Sequence, residues 1–250
     1  MTALIWVYSL LGVVIGSFLN VCVDRLPDKK SIVSPPSHCP QCKQRLSIIE
    51  LIPIISYIFL RGRCRSCGEK IPARVLMVEL GTGVMFFLIW LRFGQSWDTA
   101  LASIFGCLLL VIGFIDLEHQ KIPNILIYPA IGVGLLLIPV MHLSTPWMFL
   151  IGGGLGFAVL FLITILSPGA MGMGDVKLTV FLGLILGYPE IVIALFLAFV
   201  SGGLIAGILL ALKKIKRKDT VAFGPYLALA GIITILYGDQ ILSWWLRRMS

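Results

Sequence analysis

Eight apolar runs alternate with shorter polar connections along the chain, at about 4–23, 75–91, 99–117, 124–141, 147–166, 176–186, 191–212 and 223–246. Most come close to the roughly 20 residues that a helix needs to cross a bilayer. The run at 176–186 is shorter and stops at Gly187-Tyr188-Pro189, so a tilted helix or one continued across that turn is expected. Pro129 and Pro139 are expected to loosen the run at 124–141. One stretch breaks the rhythm. Asp24–Arg74 is polar and basic, and its prolines (Pro27, Pro35, Pro36, Pro40, Pro53 and Pro72) exclude a long helix. Within it, Leu46–Leu60 is apolar but short and carries Glu50 and Pro53, which predicts an interfacial or packed segment rather than a span.

The pattern predicts an all-α polytopic membrane protein of about eight transmembrane helices, and the polar stretch, with its two CxxC pairs at Cys39/Cys42 and Cys64/Cys67, is read as a small cytoplasmic zinc-binding segment. Its expected divisions are a first transmembrane helix at 1–23, the zinc-binding segment at 24–74 and a multi-helix domain at 75–250. The first run has no basic stretch before it and no clear small-residue cleavage site, and is read as a retained span. No internal repeat is evident. Glycines in the later runs (Gly152, Gly153, Gly154 and Gly156; Gly202, Gly203 and Gly207) favour close helix contacts.

Composition agrees: mean hydropathy is +1.01 and charged residues make up 13%. A net charge of +8 would point to nucleic acid in a soluble protein. Here all but Arg92, Arg247 and Arg248 of the 20 basic residues fall in connections on one side of the predicted membrane. The positive-inside rule makes that side cytoplasmic and places both termini outside. The same parity brings Asp116, which ends the third run, and Asp175, which opens the sixth, to one depth near the cytoplasmic face.

These two acids carry the candidate chemistry. A carboxylate at a membrane edge is costly. Asp175 lies in Met171-Gly172-Met173-Gly174-Asp175-Val176-Lys177, where two glycines permit close backbone approach. Two carboxyl groups held together cannot both ionise, so one can take a proton from water while the other polarises a carbonyl, as peptide hydrolysis requires. Lys177 is placed to influence that ionisation or to meet lipid phosphates. The plainer reading makes Asp175 the N-cap of the sixth helix and Asp116 a solvated loop acid, or makes the two an ion or proton site of a transporter. His38, His119 and His142 are the only histidines, no nucleophile stands beside them, and HExxH is absent.

Cys39-Pro40-Gln41-Cys42 and Cys64-Arg65-Ser66-Cys67 are two CxxC pairs with basic flanks. Each places two thiolates on one tetrahedral ion, and four thiolates make a closed structural zinc site. Gly68 suits the tight turn after the second pair. Cys22 and Cys107 lie in or beside apolar runs and are expected to pack. The basic flanks at Lys43, Arg45, Arg61, Arg63 and Arg65 suit anionic lipid better than nucleic acid.

With these parts in place, the chain resembles the type IV prepilin peptidases, membrane aspartyl proteases of the GxGD kind. The resemblance rests on Gly16-Ser17-Phe18-Leu19-Asn20-Val21 with Arg25-Leu26-Pro27, the two CxxC pairs, Val78-Glu79-Leu80, Ile115-Asp116-Leu117 followed by Ile122-Pro123-Asn124, Gly172–Lys177, and Phe223-Gly224-Pro225-Tyr226-Leu227. It covers essentially the whole length. Val221-Ala222 stands before the last block where a proline is common, and Tyr226 where phenylalanine is frequent.

The resemblance implies an inner-membrane endopeptidase of bacteria, multi-pass, that cleaves the leader of type IV prepilins or pseudopilins after a glycine at the cytoplasmic face. It implies Asp116 and Asp175 as the catalytic pair and zinc on Cys39, Cys42, Cys64 and Cys67. Many members of the family also methylate the new amino terminus with S-adenosylmethionine. Glu79, Gly16 and Asn20 are the candidates for that second activity, although Glu79 also reads as a paired acid and Gly16 and Asn20 as helix-contact residues. Prepilin or pseudopilin precursors and membrane lipid are the expected partners, and nucleic acid is not. The alternative from another class is an ion-coupled transporter with a zinc-stabilised cytoplasmic domain.

Overall fold

The computed structural model describes residues 2–141, 145–167, 171–214 and 221–249. The turn expected at His142–Pro146, the glycine-rich loop at Ser167–Gly174 and the basic cluster at Lys213–Lys218 lie partly outside them. Helices follow in the expected order: α1 (Thr2–Arg25), α2 (Ile55–Phe59), α3 (Ala73–Phe93), α4 (Trp97–His119), α5 (Asn124–Met141), α6 (Pro146–Leu166), α7 (Met173–Leu186), α8 (Glu190–Ala211) and α9 (Gly224–Met249). Six of these, α1, α3, α4, α6, α8 and α9, are long and apolar enough to cross a membrane. Proline and glycine punctuate them. Pro72, Pro123 and Pro189 precede α3, α5 and α8, Pro146 opens α6, and Gly94 and Gly187 end α3 and α7 with φ of 60° and 79°. Helix α5 continues through Pro129 and Pro139.

The chain divides into two compact units, Met1–Val111 and Ile112–Ser250, with the boundary inside α4. In the first unit α1 packs along α3. A Cβ on Gly12 would stand 2.7 Å from Phe86, one on Gly16 2.9 Å from the Glu79 Cα, and one on Gly83 2.5 Å from Val13. The two backbones therefore approach as only glycine permits. Tyr8 adds a hydroxyl contact to Ser103 of α4 at 2.6 Å and stacks on Phe86.

The second unit is built around α7, which packs against α5, α6, α8 and α9. With 14 residues, α7 is about 21 Å long, short of the roughly 30 Å hydrocarbon core. Leu178, Thr179, Phe181 and Leu182 are wholly buried and Val176 and Leu184 nearly so, so most of the helix surface is covered by protein. Helix α6 reaches it through small residues: a Cβ on Gly152 would lie 2.5 Å from the Gly183 carbonyl, and one on Gly156 2.7 Å from the Thr179 carbonyl. Gly153 also faces α7, whereas Gly154 meets nothing, so the expected glycine contacts occupy one face of α6. Gly202 of α8 packs against Phe223 and Tyr226, but Gly203 and Gly207 face open space.

The α6–α7 seam yields a stability prediction. Gly152→Val inserts atoms where a backbone already stands and should lower stability by about 1–3 kcal/mol or abolish folding. Gly154→Ala, on the open face, should leave stability unchanged or slightly higher. Thermal unfolding of the purified proteins in one detergent checks both.

Candidate functional site

Asp116 and Asp175 both belong to the second unit, at helix ends. Asp116 lies in the last turn of α4 and is 5% exposed; Asp175 lies in the first turn of α7 and is 8% exposed. The two carboxylates are within electrostatic range of each other. Asp116 is thus not a solvated loop acid. Its Oδ2 accepts the Gly224 N–H at 2.9 Å, and a Cβ on Gly224 would sit 2.6 Å from that oxygen. Only glycine lets the start of α9 close over the carboxylate.

Asp175 is not the N-cap, which is Gly172, but from the third helical position it still serves the helix start. Its Oδ2 accepts the Gly172 N–H at 3.1 Å, and its own N–H donates to the Gly172 carbonyl at 3.1 Å. Capping does not account for the rest of the side chain, because Oδ1 is buried without a hydrogen-bond partner among the described residues. Gly174 packs its Cα face on Ile122, where a Cβ would lie 3.0 Å from the isoleucine. Lys177 turns to the same segment: its Nζ donates to Asn124 Oδ1 at 3.0 Å and lies 4.8 Å from the Tyr128 ring centroid. The stretches Ile122–Asn124 and Gly172–Lys177 are therefore docked on each other, and Lys177 anchors α7 to α5.

The four cysteines Cys39, Cys42, Cys64 and Cys67 lie together in the first unit, their sulfurs within 4.8 Å of one another. Two knuckles build the cluster with matching bonds. The Cys39 N–H donates to Gln44 O and the Lys43 N–H to Cys39 O; the Cys64 N–H donates to Glu69 O and the Gly68 N–H to Cys64 O. Lys43 and Gly68 take positive φ at equivalent places, 60° and 74°. The bridges His38–Arg45 and Arg63–Lys70 close the two turns. This is a structural repeat that the sequence does not display, because only the cysteines are shared between the cysteine-containing turns.

The donor set suits a metal. The Cys39 and Cys67 sulfurs are 3.7 Å apart, and thiolates about 2.3 Å from a zinc ion in a tetrahedron stand about 3.8 Å from one another. The Cys42 and Gln41 amides hold the Cys39 thiol down to about 6. The Glu69 amide favours the Cys67 thiolate, yet desolvation and the three neighbouring sulfurs push that thiol up to about 12. Four crowded thiolates need a cation to coexist, and a zinc ion would supply it.

Gly16, Asn20 and Glu79 also meet in the first unit. Gly16 packs on the Glu79 backbone, and Asn20 Nδ2 donates to Val75 O at 3.0 Å. Glu79 is buried and its Oε2 accepts the Ile54 N–H at 2.7 Å. A cavity of about 540 Å³ is lined by Ser17, Asn20, Asp24, Tyr57, Arg74 and Glu79 among others. Asn20 Oδ1 is buried there without a hydrogen-bond partner among the described residues. Sequence reasoning missed the ion pair between Arg74 and Asp24 at this cavity, and it missed the contact from Ile54 to Glu79. No local signal marks contacts between residues so far apart in the chain.

Comparison with known proteins fits this arrangement. The profile of the bacterial Peptidase A24 N-terminal domain matches residues 10–93, and that of the type IV leader peptidase family matches residues 103–207. A prepilin leader peptidase/N-methyltransferase of Bacillus subtilis (strain 168) is 33% identical over 94% of this chain and 95% of its own. The chain belongs to the type IV leader peptidase family. Enzymes of the same name from Aeromonas hydrophila and Pseudomonas aeruginosa are 32% and 31% identical, over 98% and 95% of this chain and 93% and 92% of theirs. No solved structure gives a significant match.

The cysteine cluster predicts about one zinc ion per chain in protein purified under reducing, chelator-free conditions. Cys39→Ser or Cys64→Ser should lose the metal and lower thermal stability. Elemental analysis beside the unfolding curve reads both effects.

Proposed function

We propose that this chain is a membrane aspartyl endopeptidase that removes the leader of type IV prepilins or pseudopilins, with Asp116 and Asp175 as its catalytic pair. The observation that carries this reading is two buried carboxylates in electrostatic range, each with one oxygen committed to a glycine N–H. Such a pair shares one proton. The ionised member takes a proton from water as the water attacks the scissile carbonyl, while the protonated member donates to the carbonyl oxygen. The Gly224 and Gly172 amides fix the orientation of both groups without supplying a cation that would lock either of them. Cleavage follows a glycine at the cytoplasmic face of the bacterial inner membrane, a sidedness supported by the excess of basic residues in the connections on the side of both acids. A protein whose acids served ion transport instead would pass protons and leave precursors intact.

The same chain also methylates the new amino terminus in this reading, with S-adenosylmethionine as donor. The cavity in the first unit has the size of a small-molecule site and holds a buried oxygen on Asn20 without a hydrogen-bond partner among the described residues. Glu79 and Asn20 would hold the polar and cationic groups of the donor, and Gly16 lets α1 come close enough to α3 to form the wall. The donor supplies an electrophilic methyl group to the free amine. The zinc segment encloses this cavity through Cys39, Tyr57 and Cys64, so its metal acts by holding the fold.

Purified protein in liposomes, with a precursor bearing a basic leader, a glycine and an apolar helix, tests both activities by mass spectrometry. Asp116→Asn and Asp175→Asn should each reduce cleavage by about 10³-fold or more while the protein stays inserted. Turnover retained in either variant rejects the paired-acid mechanism. Gly224→Ala displaces the Asp116 carboxylate and should cost about 10²-fold. Glu79→Gln separates the activities: cleavage should persist while the methyl increment disappears, and loss of both would return Glu79 to a structural role.

A further inference from the structure

Between the two cysteine knuckles the chain exposes an apolar surface that neither activity uses. Ile48, Ile49 and Phe59 are 85%, 70% and 84% exposed, and Ile55 and Ile58 also face outward. The 3₁₀ turn Ile49–Leu51 and helix α2 bury no residue at all. A patch of this kind on a polar loop requires a partner.

Three observations name the partner. The loop is tethered at both ends to spans, leaving α1 at Arg25 and entering α3 at Ala73, so it cannot leave the membrane face. Its depth is set by the Ile54 N–H, which donates to Glu79 at 2.7 Å. Glu79 lies about 9 Å along α3 from Ala73, past the first turn and a half. The residues of α3 at that level, Met77 and Leu80, are exposed and apolar, as a helix surface facing hydrocarbon is. The loop therefore hangs beside α3 at the edge of the apolar layer. Charge supplies the third observation. Arg45, Arg61, Arg63 and Arg65 flank the patch and are all exposed. The acid within it, Glu50, turns back onto the Ser47 amide and hydroxyl at 2.8 and 2.7 Å.

We propose that the segment 48–59 is an interfacial anchor, its isoleucines and Phe59 inserted into the leaflet and its arginines on anionic phospholipid headgroups. The anchor holds the zinc segment down on the bilayer, with the Ile54 amide in place against Glu79. The proposal does not depend on the peptidase reading.

The unmodified full-length chain provides the test. It is placed one copy per nanodisc in phosphatidylcholine containing phosphatidylglycerol, with a trace of phospholipid carrying a diazirine in its acyl chain. After irradiation, peptide mass spectrometry maps the adducts. Peptides covering 48–59 should carry lipid within about threefold of those covering Met77 and Leu80, and about tenfold more than the knuckle peptides. Replacing phosphatidylglycerol by neutral lipid should lower the yield at 48–59 by about twofold or more and leave α3 unchanged. No adduct at 48–59 while α3 is labelled would overturn the anchor. Labelling that vanishes in discs holding two copies would also overturn it and assign the patch to a second chain.

Discussion

Helix α7 is covered by protein over most of its surface and yet carries a buried carboxylate in its first turn. That arrangement sets the terms for the rest of the second unit. A helix so covered must find apolar partners over most of its surface, and α6 can only lie close enough because Gly152 and Gly156 present backbone to the Gly183 and Thr179 carbonyls. The approach leaves no room for slippage along the seam, so the first turn of α7 is fixed in depth. Gly174 on Ile122 and Lys177 on Asn124 fix it in rotation. The carboxylate of Asp175 is thereby delivered to one place, beside the end of α4 and the start of α9. Its short length is part of the same solution: at about 21 Å the helix stops short of the roughly 30 Å hydrocarbon core, and the first turn packs on Ile122 and the Gly172 backbone.

The first unit meets a different constraint. Its connection between α1 and α3 is too polar and too rich in proline to form a core of its own, and hydrophobic burial does not organise it. The thiolates do. Two turns with the same hydrogen bonds, Cys39 N–H to Gln44 O and Cys64 N–H to Glu69 O, bring four sulfurs to the spacing of a zinc tetrahedron. A metal held there would stand in for the missing core, and the stretch between the knuckles, tied to α3 by the Ile54 amide, is where the apolar surface lies.

How much of this was legible in the sequence varies with the range of the interaction. The helices and their order follow from the apolar runs and from proline and glycine at their ends, because those signals are local. The cysteine cluster was legible because two ligands sit in each turn and only the pairing of turns is long-range. Asp116 and Asp175 stood out because acids are rare in apolar runs. Their partners did not. Nothing around Gly224 says that its N–H will meet a carboxylate more than a hundred residues earlier, although a glycine before a proline at a helix start invites close approach. Lys177 looked like a modifier of Asp175, since two residues separate them. A helix sends positions i and i+2 to different sides, and the lysine went to Asn124 and Tyr128 instead. The short segment at 46–60 read as interfacial or packed, and its strained Ile54, at φ 64°, could be located only once Glu79 was seen to hold it.

Three buried acids, Asp116, Asp175 and Glu79, share one device. Each gives an oxygen to a backbone N–H, from Gly224, Gly172 and Ile54 in turn, and none has an ion-pair partner among the described residues. Asp24, by contrast, is neutralised by Arg74. An acid retained for stability alone is most cheaply kept with a cation, since breaking up a buried charge without one costs several kcal/mol. A backbone amide does something else. It orients the carboxyl group, cannot titrate and does not fix its charge. Backbone donors in place of lysine or arginine are what the proposed roles of Asp116 and Asp175 require, since neither carboxyl group is then held ionised by a cation.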